Sequence, residues 1–217
     1  RAFFMFDNWY VALNGRTFDQ YLATRPSRLV STIKRRRKKP EAQHKVRVTI
    51  DVTPEHVGDF TIVYERSWKR PEPYPDFIPT LAMTCARLGV LRLGILYVDE
   101  SPAAAQLWIT TGRKAVIYKL AYDDAYVDFS VGSILSSEMF RYAIDVDRVQ
   151  EIDYGVGSEP YKRDWMEQKR ELHGVIGHNL ATPLGIGSAA VEKARVAAHN
   201  VLERGRRLRA KWSTATS

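Results

Sequence analysis

The sequence predicts a mixed α/β fold in which helices flank a mostly antiparallel sheet. Three apolar, strand-like runs follow one another between residues 90 and 122, and their connections are short enough for an antiparallel meander. A fourth run at residues 149–154 follows only after an amphipathic helical segment. A strand, a helix and a strand in that order form a parallel crossover. One mixed sheet therefore accounts for both observations.

The elements before the meander are predicted to be one strand and two helices. Residues 46–50 alternate between polar and apolar, as a half-buried strand does. Thr53 and Pro54 are typical of the N-cap and the first residue of a helix, and Gly89 is typical of a helix end. We expect the lone cysteine to be a buried structural residue. The two predicted apolar faces are Val57, Phe60, Tyr64 and Trp68, and then Phe77, Leu81, Cys85 and Leu88.

The meander consists of residues 90–98, 103–110 and 115–122. A small-residue turn, Ser130–Ser133, then opens the crossover helix. Free backbone N–H groups and the helix dipole favour an anion at such a helix start. We therefore expect the functional site within Ala115–Trp165. The crossover helix should bury Leu135, Met139, Tyr142 and Val146. The spacing of Val191, Ala194, Ala198 and Val201 predicts a terminal amphipathic helix that Gly205 ends.

Charge is concentrated in one short segment. The chain has 217 residues and a net charge of +8, of which the run Lys34–Lys39 supplies six, which leaves +2 elsewhere. A second basic cluster lies at residues 204–211. Such runs attract phosphates of RNA, anionic lipid or small molecules, and a solvated helix face explains the first run equally well. The low charge elsewhere argues against a stand-alone nucleic-acid-binding protein.

Other features bear on the cellular setting. A single cysteine excludes an internal disulfide and fits a reducing compartment. No apolar run approaches the roughly 20 residues of a membrane span, and Asp7 interrupts the apolar start of the chain. We expect a cytoplasmic protein that could bind peripherally at the inner membrane. Because the first residue is Arg1, we expect the sequence to be a piece of a longer protein.

Several segments together resemble a known family. They are Gly15–Leu22, Ala104–Trp108, Tyr118–Asp123, Ile152–Gly157 and Tyr161–Trp165. The chain is similar, over residues 14–170, to GNAT-fold acyl-CoA-dependent N-acyltransferases. It resembles the branch that includes a bacterial cellulose and exopolysaccharide biosynthesis protein. That branch is related to Fem-type transferases, which build peptidoglycan cross-bridges from aminoacyl-tRNA.

The resemblance implies a domain organisation and a cofactor. Members often carry two GNAT-like units, so residues 1–45 would end a first unit, or form a basic N-terminal segment, and residues 46–217 would form the second. Acetyl-CoA or another acyl-CoA is the implied co-substrate, and no metal is implied. Its phosphates would meet the loop Ser130, Val131, Gly132 and Ser133. Lys162 and Arg163 could bind a phosphate of CoA or an anionic substrate. Phe129 and Ile134 depart from the usual pyrophosphate-binding pattern of the family.

The resemblance also implies roles for side chains. GNAT enzymes mostly use direct attack of the amine on the thioester, so no nucleophilic residue is required. We expect Asp153 to act as the base, because partial desolvation at a strand end would raise its pKa. The alternative is that Asp153 accepts hydrogen bonds from N–H groups of the loop at residues 155–157. Glu138 is a weaker candidate base.

The remaining candidates concern the leaving group and the acceptor. Tyr161 could protonate the leaving thiolate, although a packing role fits this tyrosine equally well. Tyr118, Lys119 and Tyr122 are expected to bind the acceptor, because a lysine amid apolar neighbours must reach solvent or a partner.

Three functions remain open from the sequence. The first is an acyl-CoA-dependent N-acyltransferase for an amine acceptor, small or lipid-linked, in envelope or exopolysaccharide biosynthesis. The second is an aminoacyl-tRNA-dependent Fem-type transferase, which Lys34–Lys39 would serve through contact with tRNA. The third is a non-catalytic GNAT-like scaffold in a polysaccharide synthase assembly, with the same run binding an anionic membrane surface.

Overall fold

The structure is a computed structural model that describes residues 1–41, 44–157 and 159–198, without the side chains of residues 36–41. Within this part of the chain, seven strands form one sheet in the order β2-β3-β4-β5-β6-β1-β7. The strands are β1 Ala2–Ala12, β2 Val46–Ile50, β3 Leu91–Val98, β4 Ser101–Thr111, β5 Lys114–Tyr122, β6 Glu151–Val156 and β7 Gln168–Val175.

Helices occur before the meander, in the crossover and near the end of the chain. They are α1 Phe18–Ala23, α2 Ser27–Glu41, α3 Pro54–Glu65, α4 Phe77–Arg87, α5 Val131–Arg141, α6 Pro160–Trp165 and α7, residues 183–198. Thr53 caps α3 by accepting a hydrogen bond from the His56 N–H, as its sequence position predicts. In the described residues, no helix is both long enough and apolar enough to cross a membrane.

The predicted fold class is confirmed. Strands β3, β4 and β5 form the antiparallel meander, and β5 pairs in parallel with β6 across the α5 crossover. On its other side β6 pairs antiparallel with β1, with Val11 opposite Ile152. Neither β1 nor β7 was predicted from the sequence.

Residues Phe6–Leu172 form one compact unit. Helix α5 packs over an aromatic cluster on one face of the sheet, in which the ring of Phe140 lies 5.4 Å from Tyr21, 5.2 Å from Trp108 and 4.8 Å from Trp165. A second buried cluster joins α3 and α4 to other strand residues. Cys85 is buried in this second cluster, as predicted.

The second compact unit comprises Arg1–Met5 and His173–Ser217. Within it, the amino group of Arg1 donates to the Ile176 carbonyl at 2.8 Å, and the Arg1 guanidinium pairs with Glu192. The predicted terminal helix is present over residues 183–198, whereas Val201, Gly205 and the basic cluster at residues 204–211 lie outside the described residues.

Three predicted apolar faces are wrong in part. At the ends of α4, Phe77 and Leu88 are exposed, and Ile78 and Ala82 are buried instead. Helix α3 stops at Glu65, so Trp68 lies beyond it, and Val63 is buried instead. After α5 the chain makes a π-helical turn over Tyr142–Val146. Because this turn is wider than an α-turn, it rotates the following residues, which buries Ile144 and leaves Val146 61% exposed.

The predicted domain boundary at residue 46 depends on whether a GNAT-like unit precedes Arg1. Residues 6–45 lie in the same compact unit as residues 46–172. That residues 1–45 end a preceding GNAT-like unit stays a prediction. On α2, Lys34 and Arg35 are exposed, and the rest of the basic run lies outside the described side chains.

Candidate active site

Strands β5 and β6 diverge, and this divergence creates the candidate site. Their parallel pairing covers only Lys114–Val116 of β5 and Glu151–Asp153 of β6. Strand β5 continues to Tyr122 and β6 continues to Val156. Two adjoining clefts lie along these unpaired stretches.

Where β6 leaves β5, hydrogen bonds to side chains replace the backbone hydrogen bonds that would otherwise join the two strands. The Gly155 N–H donates to Asp153 Oδ1 at 2.7 Å, and the Gly155 carbonyl accepts from Asn8 Nδ2 at 3.0 Å. Gly155 has a φ of 68°, which favours glycine and bends the strand. Since both of its backbone polar groups are satisfied within this turn, Gly155 has no need of β5 as a partner.

Asp153 is the centre of this arrangement and is only 6% exposed. Its Oδ1 also accepts from Asn8 Nδ2 at 2.6 Å, and its Oδ2 accepts from Lys114 Nζ at 2.6 Å and Arg170 Nη2 at 2.7 Å. Burial alone would raise the pKa of Asp153, but the hydrogen bonds from Lys114, Asn8 and Gly155 outweigh burial and lower that pKa.

The predicted rise in the Asp153 pKa is therefore wrong. The structure shows the contact of the alternative interpretation, a carboxylate that accepts a hydrogen bond from the N–H of Gly155. Asp153 lines neither cleft. Glu138 also lines neither of them.

The first cleft, which we call the α5 cleft, has a volume of about 490 Å³. It lies between the end of β5, the start of α5 and α6, and Ser130–Ser133 form part of its wall. None of its lining residues carries a charged side chain or is a histidine. Trp68 and Tyr122 pack their rings together on one wall, with centroids 4.4 Å apart.

The start of α5 presents two free backbone donors to this cleft. Ser130 adopts a left-handed conformation, and its carbonyl accepts from the N–H groups of Ser133 and Ile134 at 3.0 and 3.1 Å. Among the described residues, the N–H groups of Val131 and Gly132 have no hydrogen-bond partner. The N–H group of Ser133 is not a third free donor, because it is engaged within the helix.

A steric constraint explains why a glycine occupies position 132 of the loop. A Cβ at Gly132 would lie 3.1 Å from Cδ1 of Tyr122, so the ring leaves little room for a side chain. Phe129 and Ile134, the two residues that depart from the pyrophosphate-binding pattern of the family, do not line the α5 cleft. Ile134 is buried in the core, and the ring of Phe129 lies 5.3 Å from that of His44.

A buried polar chain that was not predicted lies against the α5 cleft. Gln106 is 2% exposed; its Oε1 accepts from Trp108 Nε1 at 2.9 Å and its Nε2 donates to Ser136 Oγ at 2.7 Å. Burial raises the pKa of Tyr154, and Ser136 acts on that pKa in the opposite direction. The single amide in an otherwise apolar strand, β4, was the sequence signal that could have identified Gln106.

The second cleft, which we call the lysine cleft, also has a volume of about 490 Å³. It follows β5 from Val116 to Leu120 and is closed by Lys69, Lys162 and residues at the end of β6. It shares three lining residues with the α5 cleft, namely Leu120, Tyr154 and Tyr161.

Lys162 lines the lysine cleft and not the α5 cleft. Its side chain is 4% exposed; Nζ donates to the Val156 carbonyl and lies 2.8 Å from Glu159 Oε2. Lys162 therefore lies on a different cleft from Ser130–Ser133, and its predicted role in binding an anion stays a prediction. Arg163 lies against the ring of Trp9 instead.

The predicted acceptor residues divide between the two clefts. Tyr118 and Lys119 line the lysine cleft, and Lys119 Nζ donates to the carboxylate of Glu72. Tyr122 lines the α5 cleft. That these three residues bind the acceptor stays a prediction.

Tyr161 is one of two titratable side chains that line both clefts; the other, Tyr154, is buried. Burial, and to a smaller extent the charge of Glu159, raise the pKa of Tyr161 to about 12. Its hydroxyl is therefore protonated at neutral pH and can donate a proton. Its ring packs edge-on against Tyr154, with centroids 5.6 Å apart.

Solved structures with a similar fold include FemX, with a TM-score of 0.62 and 10% identity over 77% of this chain. They also include a conserved protein of unknown function from Bacteroides thetaiotaomicron (TM-score 0.55, 14% identity, 76% of this chain) and L-PGS from Bacillus licheniformis (0.52, 11%, 80%). The alignments cover 60%, 58% and 60% of those chains, so this chain spans about 60% of their length.

No curated protein sequence matches the chain significantly. A family model described as "Acetyltransferase (GNAT) domain" matches residues 27–163, which include the meander, the α5 crossover, β6 and the start of α6. This match covers more than half of the chain and both walls of the divergence between β5 and β6. The chain belongs to the GNAT acetyltransferase domain family.

Proposed function

We propose that this protein is an acyl-CoA-dependent N-acyltransferase whose acyl donor binds in the α5 cleft and whose acceptor amine enters through the lysine cleft. The observation that carries the proposal is the pair of adjoining clefts at the divergence of β5 and β6, with Tyr161 on both. The family match supports acyl transfer as the reaction class.

The α5 cleft suits the parts of an acyl-CoA. The free N–H groups of Val131 and Gly132 and the positive end of α5 favour a phosphate group. The hydroxyls of Ser130 and Ser133 add donors on the same wall. Apolar walls and the side chain of Ser136 suit a flexible arm that carries amide groups.

The chemistry requires one proton donor near the thioester sulfur. The unprotonated acceptor amine attacks the thioester carbonyl and forms a carbon–nitrogen bond, and its nitrogen then loses a proton to solvent. The carbon–sulfur bond breaks, and the thiolate takes a proton. Tyr161 lies where the two clefts meet and holds its proton at neutral pH. We assign proton donation to Tyr161, which then regains a proton from solvent.

The direct test is release of free thiol from acetyl-CoA in the presence of a panel of amines. We expect release that depends on both the amine and the protein, and we expect calorimetry to detect binding of CoA. Absence of CoA binding by a folded protein would contradict the proposal. Turnover would leave open whether the acceptor belongs to envelope or exopolysaccharide biosynthesis, which we propose from the sequence resemblance.

One observation favours a second candidate, the aminoacyl-tRNA-dependent reaction of Fem-type enzymes. The fold is similar to that of FemX over 77% of this chain, and Lys34 and Arg35 are exposed on α2. Binding of tRNA through such cations should weaken steeply as salt is raised. Salt-sensitive tRNA binding without CoA binding would favour this candidate, whereas neither activity would favour a scaffold role.

A further inference from the structure

We propose that the lysine cleft binds an anionic group, a carboxylate or a phosphate, carried by the acceptor amine. The inference rests on the proposed function, because it takes this cleft as the acceptor side. It adds a substrate class that neither the family match nor the similar structures specify.

The charges around this cleft are unequal. Three lysines, Lys69, Lys119 and Lys162, line it, and Glu159 is the one acidic lining residue. Counting Glu72, which pairs with Lys119, three positive charges meet two negative charges. The α5 cleft next to it has no charged lining residue. The positive charge is thus specific to the acceptor side.

Among the three lysines of this cleft, Lys69 is the one without a carboxylate partner in the part of the chain that the structure describes. Lys119 pairs with Glu72 and Lys162 pairs with Glu159, whereas no carboxylate among the described residues lies within 4 Å of Lys69 Nζ. Its ammonium instead lies 5.2 Å from the centre of the Trp68 ring.

The surroundings of Lys69 disfavour its positive charge. Burial is the largest cause that lowers the pKa of Lys69; Lys119 and Lys162 lower it further, while Glu159 and Glu72 act in the opposite direction. A bound anion would compensate the ammonium, and an additional cation would be repelled. Acceptors with a carboxylate or phosphate should therefore be preferred, and polyamines should be poor acceptors.

The test compares acceptors that differ only in the anionic group. Alanine against alaninamide tests a carboxylate, and glucosamine 6-phosphate against glucosamine tests a phosphate. We expect the anionic member of at least one pair to have a KM lower by about tenfold or more, as a hydrogen bond to a charged group provides. The pair that shows the preference identifies the anion.

Variants assign the preference to Lys69. Lys69→Gln should remove most of the preference and Lys69→Arg should retain it. Lys45→Gln is the matched control, because Lys45 is exposed and lines neither cleft. Equal KM values within both pairs in the parent protein, or an unchanged preference in Lys69→Gln, would overturn the inference.

A binding measurement separates this inference from the proposed function. Inorganic phosphate and N-acetylglycine are titrated calorimetrically into the parent and Lys69→Gln proteins without acyl donor. Weaker binding to Lys69→Gln supports the anion site even if no amine is acylated, in which case the proposed function alone fails. Equal binding overturns the inference, and so does complete displacement of the probes by CoA, because the anion site would then belong to the donor.

Discussion

Replacing Asp153 by asparagine separates a structural from a catalytic role for this carboxylate. The substitution keeps the shape of the side chain and one oxygen for the Gly155 N–H. It removes the negative charge that pairs with Lys114 and Arg170. It also turns an N–H group towards one or both of these cations, since only one side-chain oxygen remains.

The expected loss of stability follows from the exposure of the partners. Removing one member of a fully buried ion pair costs about 3–5 kcal/mol. Here the side chains of Lys114 and Arg170 are 36% and 40% exposed, so water can solvate them once Asp153 is neutral. We therefore expect a loss of about 1.5–3 kcal/mol, the range for hydrogen bonds to charged groups.

Urea denaturation measures this loss. With an m value of about 2 kcal/mol/M, a loss of about 2 kcal/mol lowers the denaturation midpoint by about 1 M. Asp76→Asn is the matched control, because Asp76 is exposed and its side chain makes no capping hydrogen bond. The control should leave the midpoint nearly unchanged.

Activity of the same variant distinguishes the two roles. If Asp153 only positions the strands where β5 and β6 diverge, the variant should be less stable and should lose only a modest part of its turnover at temperatures where it is folded. An unchanged urea midpoint together with near-complete loss of turnover would refute the structural reasoning. It would restore Asp153 as the base.

Three further outcomes are expected. Tyr161→Phe should lower kcat by about 100-fold, the lower end for general acid catalysis, with little change in the KM for acyl-CoA; equal kcat values would remove Tyr161 from the mechanism. Gly132→Ala should raise the Kd for CoA, measured by calorimetry, because the added methyl group meets Tyr122; an unchanged Kd would contradict the site. Because the folded pKa of Asp153 is lowered, its contribution to stability should be fully present above the unfolded pKa of about 3.9 and should be lost as pH falls through the folded pKa. Acid unfolding followed by circular dichroism, in the parent and in Asp153→Asn, measures this loss.

Local patterns in the sequence were sufficient for most of the α/β unit. Residues 46–50 are β2 as predicted, and Thr53 caps α3. The meander and the parallel crossover followed from apolar runs and connection length, because these signals are local. Strand β1 was missed, since its partner β6 is separated from it by more than 100 residues and its sequence does not alternate cleanly.

The candidate site was predicted less completely, because its chemistry depends on contacts between distant residues. Asp153 has the position of a base in the sequence, but Asn8 and Arg170 contact it from β1 and β7. Although burial would raise its pKa, hydrogen bonds from Lys114, Asn8 and Gly155 lower it. Lys162 follows Tyr161 directly in the sequence, yet Tyr161 lines both clefts and Lys162 lines only the lysine cleft. No local pattern indicates such partners.

The most direct measurement of the central claim is the response of the α5 backbone amides to CoA. In a ¹⁵N-labelled protein titrated with CoA, the amide signals of Val131 and Gly132 should shift the most, because these N–H groups are free at the start of α5. Amides of the lysine cleft, such as that of Lys119, should shift less. Saturable CoA binding that leaves Val131 and Gly132 unshifted would contradict the assignment of the α5 cleft to the acyl donor.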